Sequence, residues 1–291
     1  MKIIKYFFEF ISIISLFCIF KIIGLKNASN LGSVLGKTFG PLFRQKNIIK
    51  KNIKIGLGNV DEKKEEEIIN GMWSNIGRTF AEYIFLKDFK FNKTNFNHIK
   101  INGTNYLDQI KKSNEPVIFY SGHFANFELM AMELDKSGVK TAAIYRPLNN
   151  FFLNPLMEYL RMKYICPTQI PKGRKGMREI INRIKDGYSV ALMMDQRVSE
   201  GRKVPFFNVP ALTTTIPAQL ALKYDCKLVP ISLERKEGAN FEMTVHEPYN
   251  IEKTGNDEED TKNITLKINK IIEKMIIKNP KQWIWSHNRW K

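Results

Sequence analysis

His123 and Glu128 have the residue types and the spacing that most directly suggest chemistry. On an ideal helix, five residues leave two side chains roughly 140° apart. His123 is therefore expected on a loop before a helix, folded back towards Glu128. A carboxylate that accepts one ring N–H fixes the tautomer and leaves the other ring nitrogen as a base for a substrate hydroxyl, which then attacks an activated acyl group. The alternative is that His123 only caps the helix and that Glu128 is a solvated surface residue.

The residues around this pair predict the elements that position it. An apolar run at 117–120 ends at Ser121-Gly122, and apolar residues then recur at helical spacing. This pattern indicates a strand, a tight turn and a helix. Because ligands of open α/β sheets bind beyond the carboxyl ends of the strands, His123 is expected at a functional edge.

Three more charged residues are predicted near that edge. Arg146 follows a second predicted strand, Arg161 lies near the end of the next helix, and Asp195 closes a third strand. An arginine directed into a site can bind a phosphate or a carboxylate through two hydrogen bonds, so these residues are expected to contact a substrate. Taken alone, each arginine also fits an exposed surface cation, and Asp195 also fits a structural turn.

From residue 98 onward, strand and helix patterns alternate. Such alternation predicts an α/β fold with a mixed, mainly parallel sheet flanked by helices, which we expect to form the catalytic core at 98–291. The predicted strands are 117–120, 140–145, 188–194 and 227–233, with an added edge strand at 241–246; the predicted helices are 124–137, 151–164, 175–186, 215–224 and 259–278.

Two regions are expected to precede this core, an apolar segment at 1–26 and a helical region at 27–97. The uninterrupted apolar part of 3–25 is shorter than the about 20 residues that span a bilayer, so the segment fits an uncleaved anchor, an interfacial helix or a buried core helix. A removed signal peptide is not expected because no small-residue cleavage site follows. Basic residues are more frequent after the segment than before it, which predicts that the body of the protein faces the cytoplasm.

The composition indicates an anionic partner. The chain of 291 residues has 46 Lys and Arg against 29 Asp and Glu, a formal charge of +17, which suits a nucleic acid, a membrane surface or an acidic substrate. Three widely spaced cysteines without a C-x-x-C motif fit a reducing compartment. The four histidines are scattered along the chain, so no zinc site is expected.

Two aromatic segments allow more than one interpretation. Residues 204–215 are predicted as a loop in which Phe206 and Phe207 either line an acyl-chain pocket or belong to the core. The tail at 282–291 combines tryptophans with basic residues. It suits a membrane interface or a packed terminal strand, and less well stacking on single-stranded nucleic acid.

Taken together, these features resemble the lipid A biosynthesis acyltransferase family, the late acyltransferases such as lauroyl and myristoyl transferases. The resemblance runs over nearly the whole chain, and its specificity comes from the order and spacing of its parts. These parts are the apolar N-terminal segment, Gly122-His123 with Glu128, 145–150, Arg161, Asp195-Gln196, 205–207 with Thr213-Thr214, and 283–291. Some members have a second acidic residue where this chain has Arg197, so no role for that acid is carried over.

The resemblance implies a glycerolipid-acyltransferase-like fold and an enzyme of the inner membrane that faces the cytoplasm. Such an enzyme moves a fatty acyl chain from acyl carrier protein to a hydroxyl on an acyl chain of a lipid A precursor. The family's H-x4-E motif falls on His123 and Glu128, and its functional arginine and aspartate fall on Arg161 and Asp195. No metal or organic cofactor is implied.

Two other functions are compatible with the sequence. One is acyl transfer to another membrane lipid, such as a phospholipid, a glycolipid or an aminolipid. The other is a membrane-tethered nucleic-acid binder, suggested by the charge of +17 and the tail, although no helix-turn-helix, RNA-binding aromatic pair or zinc finger supports it. A serine hydrolase is disfavoured because the G-x-S-x-G motif is absent.

Overall fold

A computed structural model of the chain describes residues 2–91 and 98–291. The predicted boundary between residues 97 and 98 therefore borders a stretch outside the described residues. The first helix, α1, spans Lys2–Phe43 and is interrupted at Gly24, whose φ of 81° is a left-handed value that glycine adopts without strain. The apolar segment predicted to end at residue 26 thus continues as a helix to Phe43.

Helix α1 is long and apolar enough to cross a membrane, judged by its length and composition, and no other helix in the described ranges meets both conditions. Only 11% of its most apolar window is buried, which disfavours the interpretation of α1 as a core helix. Large apolar side chains such as Ile4, Phe8 and Ile22 are exposed on its surface. A helix of this kind fits association with a membrane.

Three more helices complete the N-terminal part: α2 (Lys46–Leu57), α3 (Glu62–Glu82) and α4 (Leu86–Phe91), with a 3₁₀ turn before α4. Helix α3 packs closely against the second half of α1 through glycines. A Cβ atom on Gly77 would lie 2.0 Å from the carbonyl oxygen of Gly32. The two backbones are therefore in direct contact, as at helix crossings built from small residues.

The rest of the chain forms strands and helices in alternation. The strands are β1 (Ile99–Asn102), β2 (Ile118–Ser121), β3 (Thr141–Tyr145), β4 (Thr168–Pro171), β5 (Ser189–Met193), β6 (Arg202–Phe206), β7 (Val209–Thr213), β8 (Leu228–Arg235) and β9 (Phe241–Val245). The helices are α5 (Thr104–Ser113), α6 (Glu128–Lys136), α7 (Asn154–Leu160), α8 (Arg174–Lys185), α9 (Ile216–Tyr224) and α10 (Asp257–Lys278).

Seven of these strands form one sheet in the order β1-β9-β8-β2-β5-β3-β4, and β6 and β7 form a separate hairpin. Every neighbouring pair in the large sheet is parallel except β8 and β9. All four residues of the central strand β2 are buried, because helices cover both faces of the sheet. The predicted α/β fold with a mainly parallel sheet is confirmed, and β2, β3, β5 and β8 occupy the predicted strand positions.

Two predictions about strands are wrong. The segment 241–246 does not form an edge strand, because β9 lies between β8 and β1 and the short strand β1 occupies the edge. Residues 204–215 do not form a loop throughout, since β6 and β7 pair there as an antiparallel hairpin. Phe207 and Asn208 form its two-residue turn with positive φ angles of 52° and 60°, the conformation that suits the twist of a hairpin.

The glycine contact between α1 and α3 predicts a stability effect. Gly77→Val should lower the free energy of unfolding by about 1–3 kcal/mol or more, because the added side chain overlaps the α1 backbone and separates the helices. Thermal unfolding in detergent measures the effect. Val34→Leu is the control, because Val34 is 53% exposed on α1 and has room for a larger side chain. Equal unfolding temperatures for the two variants would contradict the close helix contact.

Candidate active site

Two adjacent parallel strands bring His123 and Asp195 together. In the register of β2 and β5, Ser121 pairs with Met193. Two residues beyond these positions lie His123, after β2, and Asp195, after β5. Gly122 suits this position, because a Cβ atom there would lie 2.7 Å from the Phe124 Cε2 atom and 3.3 Å from the Asp195 Cγ atom. The site thus lies at the carboxyl end of the central strands, where ligands of such sheets bind.

The Asp195 carboxylate accepts three hydrogen bonds. Its Oδ1 atom lies 2.7 Å from the His123 Nδ1 atom. Its Oδ2 atom accepts the His123 backbone N–H at 2.9 Å and the Trp283 indole N–H at 2.7 Å. A carboxylate accepts and does not donate, so the ring proton of neutral His123 is assigned to Nδ1. The Nε2 atom has no hydrogen-bond partner within residues 2–91 and 98–291, which leaves its lone pair available.

Pairing shifts the pKa values of both groups. Burial acts to lower the pKa of His123, but the Asp195 carboxylate, with a smaller contribution from Glu128, outweighs burial and raises it above the ordinary 6.5. Burial acts to raise the pKa of Asp195, but the contacts with His123 and Trp283 lower it to about 2. The aspartate is therefore charged at neutral pH, and it stabilises a proton on the histidine.

The predicted pairing of His123 with Glu128 is wrong. Glu128 is the first residue of α6, and its Oε1 atom accepts hydrogen bonds from Arg161 Nε at 3.1 Å and Arg161 Nη2 at 2.6 Å. The loop before α6 directs His123 away from this helix and towards β5, where Asp195 takes the place expected for the glutamate. Glu128 is close enough to act on the histidine only through its charge.

Arg161 is held rigidly by this carboxylate and by two aromatic rings. Its guanidinium carbon lies 5.8 Å from the Tyr83 ring centre and 5.5 Å from the Tyr145 ring centre, within the range of cation–π attraction. It begins a π-helix, Arg161–Ile165, a distortion that is frequent at functional sites. Its Nη1 atom is buried without a hydrogen-bond partner among the described residues, so the donor capacity of this guanidinium is not fully used.

His123, Glu128 and Arg161 line a single cleft of about 290 Å³. Its cationic lining residues also include Arg146, Lys172 and Arg197, and its apolar lining includes Met130, Ala131, Ala143, Ile165, Ala191 and Leu192. The cleft therefore combines positive charge with an apolar wall. Within residues 2–91 and 98–291, no group of three or more His, Cys, Asp or Glu side chains is arranged to hold a metal ion.

The remaining predicted site residues fall in different places. Arg146 is exposed and lines the cleft. Asp195 does not line the cleft, because its side chain is only 1% exposed and contacts His123 and Trp283. It therefore acts on His123 and is not placed to touch a substrate. Phe206 is fully buried in the core and does not line the cleft.

The C-terminal tail supplies two groups whose place in the site the sequence did not reveal. Trp283 binds Asp195, and the ring of His287 lines the cleft with its Nε2 atom accepting the Arg197 backbone N–H at 2.9 Å. Burial lowers the pKa of His287 to about 4, so this ring is neutral at physiological pH. Trp283 and Trp285 are buried, and they are not available for stacking on a nucleic acid. The tail is packed but forms no strand.

Comparison with known proteins identifies the family to which the chain is similar. The family model for bacterial lipid A biosynthesis acyltransferases matches residues 1–291. A lipid A biosynthesis acyltransferase of Haemophilus influenzae is 26% identical over 277 residues, which cover 88% of this chain and 83% of the relative. Escherichia coli K12 has a lipid A biosynthesis palmitoleoyltransferase that is 26% identical over 272 residues, with 90% and 84% covered, and a lauroyltransferase that is 23% identical over 268 residues, with the same coverage.

The two shifted pKa values predict how stability depends on pH. The contribution of His123 is fully present below pH 6.5 and is lost as pH rises through its raised pKa. The contribution of Asp195 is present above pH 3.8 and is lost as pH falls through about 2. We expect the stability lost in His123→Gln to be largest between pH 3.8 and 6.5. Thermal unfolding in detergent across pH 3 to 9 measures it.

His246→Gln is the matched control for this measurement. Burial lowers the pKa of His246, so protonation of this ring at low pH destabilises the wild-type protein. The stability lost in His246→Gln should therefore not be largest between pH 3.8 and 6.5. A stability loss in His123→Gln that does not vary with pH would contradict the pairing with Asp195.

Proposed function

Because the chain belongs to the bacterial lipid A biosynthesis acyltransferase family, we propose that it transfers a fatty acyl chain from acyl carrier protein to a hydroxyl on an acyl chain of a lipid A precursor. Family membership supports the coarser statement that the protein is an acyltransferase of lipid A biosynthesis. The donor, the acceptor hydroxyl and the residue roles belong to the proposal. One observation carries it: the free Nε2 atom of an Asp195-bound His123 beside a cleft that has an apolar wall and a cationic rim.

His123 acts as the general base. Its Nε2 atom takes the proton of the acceptor hydroxyl, and the resulting alkoxide attacks the carbonyl carbon of the acyl thioester. The C–S bond then breaks, the new ester forms, and the imidazolium returns its proton to the leaving thiolate. Asp195 fixes the tautomer of the ring and stabilises its charged form. Such general-base assistance contributes about 10²- to 10⁴-fold in rate.

Glu128 has a different task from the one that the H-x4-E motif suggests. It fixes Arg161 through two hydrogen bonds, and Arg161, which lines the cleft, then places its positive charge towards an anionic part of a substrate. A phosphate of the donor or the acceptor is the group that suits a guanidinium. Arg146, exposed at the same cleft, adds a second cation for this purpose.

The apolar wall of the cleft accommodates an acyl chain. Ala143 and Ala191 are neighbours across β3 and β5, and both line the cleft. Two small side chains at adjacent positions leave room where larger residues would fill the space. The same wall suits the acyl chain of either substrate, so it does not by itself distinguish a lipid A precursor from another lipid acceptor.

Membrane location completes the proposal. Helix α1 anchors the enzyme in the inner membrane, and the basic residues that follow its apolar part orient the body towards the cytoplasm by the positive-inside rule. The net charge of +17 favours encounter with an acidic carrier protein and an anionic glycolipid.

Product mass is the direct test of the reaction. Membranes that contain the enzyme receive a tetra-acylated lipid A precursor and acyl carrier proteins that are loaded with several chain lengths. We expect an added acyl mass that His123→Ala reduces by about 10²-fold or more, because the base is lost. His246→Ala is the control and should remain active, since His246 does not line the cleft. Transfer to a phospholipid instead would overturn the acceptor, and an active His123→Ala would overturn the mechanism.

The two carboxylates should give different kinetic defects. Asp195→Asn removes the charged partner of His123, so kcat should fall by about 10²-fold or more. The pKa of His123 should also fall, because burial lowers it and only the charge of Glu128 then acts to raise it. Glu128→Gln should leave that pKa closer to the wild-type value and instead weaken Arg161, so that Glu128→Gln and Arg161→Gln are non-additive. The pH dependence of kcat/KM for wild type, the three single variants and the Glu128→Gln/Arg161→Gln double variant provides the measurement. A larger change in the pH at which the base titrates in Glu128→Gln than in Asp195→Asn would contradict these roles.

A further inference from the structure

The loop that presents His123 contains a strained residue two positions later. Ala125 has a φ of 46°, a left-handed conformation that costs an alanine about 1–2 kcal/mol. Such a conformation persists only where the surroundings impose it. Its backbone N–H donates a hydrogen bond to the Gln282 carbonyl oxygen at 3.3 Å, and this contact fixes the amide side of the residue.

Two side chains of α3 bind the other side of this residue. The Asn75 amide and the Thr79 hydroxyl both donate to the Ala125 carbonyl oxygen, at 3.1 Å and 3.0 Å. Asn75 and Thr79 are four residues apart, so they lie on one face of the helix. Neither residue lines the cleft, and their contact with the site is made through the loop.

A buried ion pair orients these two donors. The Arg235 guanidinium pairs with Glu82, and their side chains are 7% and 0% exposed. Arg235 Nε donates to Asn75 Oδ1 at 2.9 Å, and Arg235 Nη2 donates to Thr79 Oγ1 at 3.3 Å. With their acceptor atoms occupied by the arginine, the amide and hydroxyl hydrogens are directed at the loop carbonyl.

The glutamate of this pair also binds the loop directly. Its Oε2 atom accepts a hydrogen bond from the Asn126 side-chain amide at 3.0 Å. Two consecutive loop residues, Ala125 and Asn126, are thus bound by the same buried cluster. A charged pair this deeply buried makes the cluster rigid, because leaving either charge without its partner is strongly unfavourable.

We propose that Asn75 and Thr79, oriented by the Arg235–Glu82 pair, are positioning residues for the acyl transfer reaction. They set the backbone of the loop so that the His123 Nδ1 atom meets the Asp195 carboxylate. This inference depends on the proposed role of His123 as the base. Displacement of a catalytic group by about 1 Å can reduce a rate about 10²-fold, so a loop that relaxes around Ala125 should impair the base without impairing substrate binding.

Thr79→Ala and Thr79→Ser are the matched variants, because both lose the methyl group and only Thr79→Ser keeps the hydroxyl. We expect Thr79→Ala to reduce kcat about tenfold or more, with KM for both substrates changed less than about twofold. The pKa of His123 should fall, since burial lowers it and a weaker contact with Asp195 does less to raise it. Thr79→Ser should stay close to wild type.

Thr265→Ala controls for a general loss of stability. Thr265 is a buried residue of α10 whose hydroxyl donates to the Thr261 carbonyl oxygen at 2.7 Å. It should lower the unfolding temperature without changing kcat or the titration. Equal kcat values and equal titrations in Thr79→Ala and Thr79→Ser would overturn the proposal.

A spectroscopic readout separates this inference from the proposed reaction. The pKa of His123 is measured by NMR in detergent, without substrate, for wild type, Thr79→Ala and Thr79→Ser. A lower His123 pKa in Thr79→Ala, and not in Thr79→Ser, supports the positioning role. An acyl carrier protein assay that shows no product would count only against the proposed donor or acceptor. An unchanged His123 pKa in Thr79→Ala overturns positioning whatever the assay shows.

Discussion

The buried carboxylate of Asp195 is the charge around which the active site is assembled. A carboxylate that is only 1% exposed is stable only when its lone pairs are satisfied. Its partners come from distant parts of the chain: His123 from the end of β2 and Trp283 from the C-terminal tail. Satisfying this one charge therefore joins the loop that carries His123, the end of β5 and the tail in a single arrangement.

A second ion pair, Glu128 with Arg161, lines the cleft and is separate from the pair of His123 and Asp195. Arg161 neutralises Glu128, so the glutamate does not compete with Asp195 for the ring of His123. In the proposed mechanism this separation divides the chemistry: Asp195 controls the proton of the base, and Glu128 orients the Arg161 cation towards the substrate. Electrostatic preorganisation of this kind is effective because the groups are already in place and little reorganisation is needed.

The sequence predicted the elements better than it predicted the partners. Strands such as β2 are buried on both faces and therefore appear as apolar runs. Strands β1 and β4 are only partly buried and contain polar residues, so they leave no apolar run. The position of His123 beyond the end of a strand was predicted from the apolar run that precedes it. Its partner was misassigned because contact with Asp195 depends on the adjacency and register of β2 and β5, which local spacing does not contain. Trp283 was missed for the same reason, since it meets Asp195 across 88 positions of the chain.

The most direct test of the account is the protonation state of His123. With ¹⁵N-labelled histidine in the detergent-solubilised full-length protein, NMR should show the neutral ring carrying its proton on Nδ1. Its pKa should lie above 6.5, and Asp195→Asn should lower that pKa much more than Glu128→Gln does. A ring that carries its proton on Nε2, or a pKa that responds to Glu128→Gln and not to Asp195→Asn, would contradict the account.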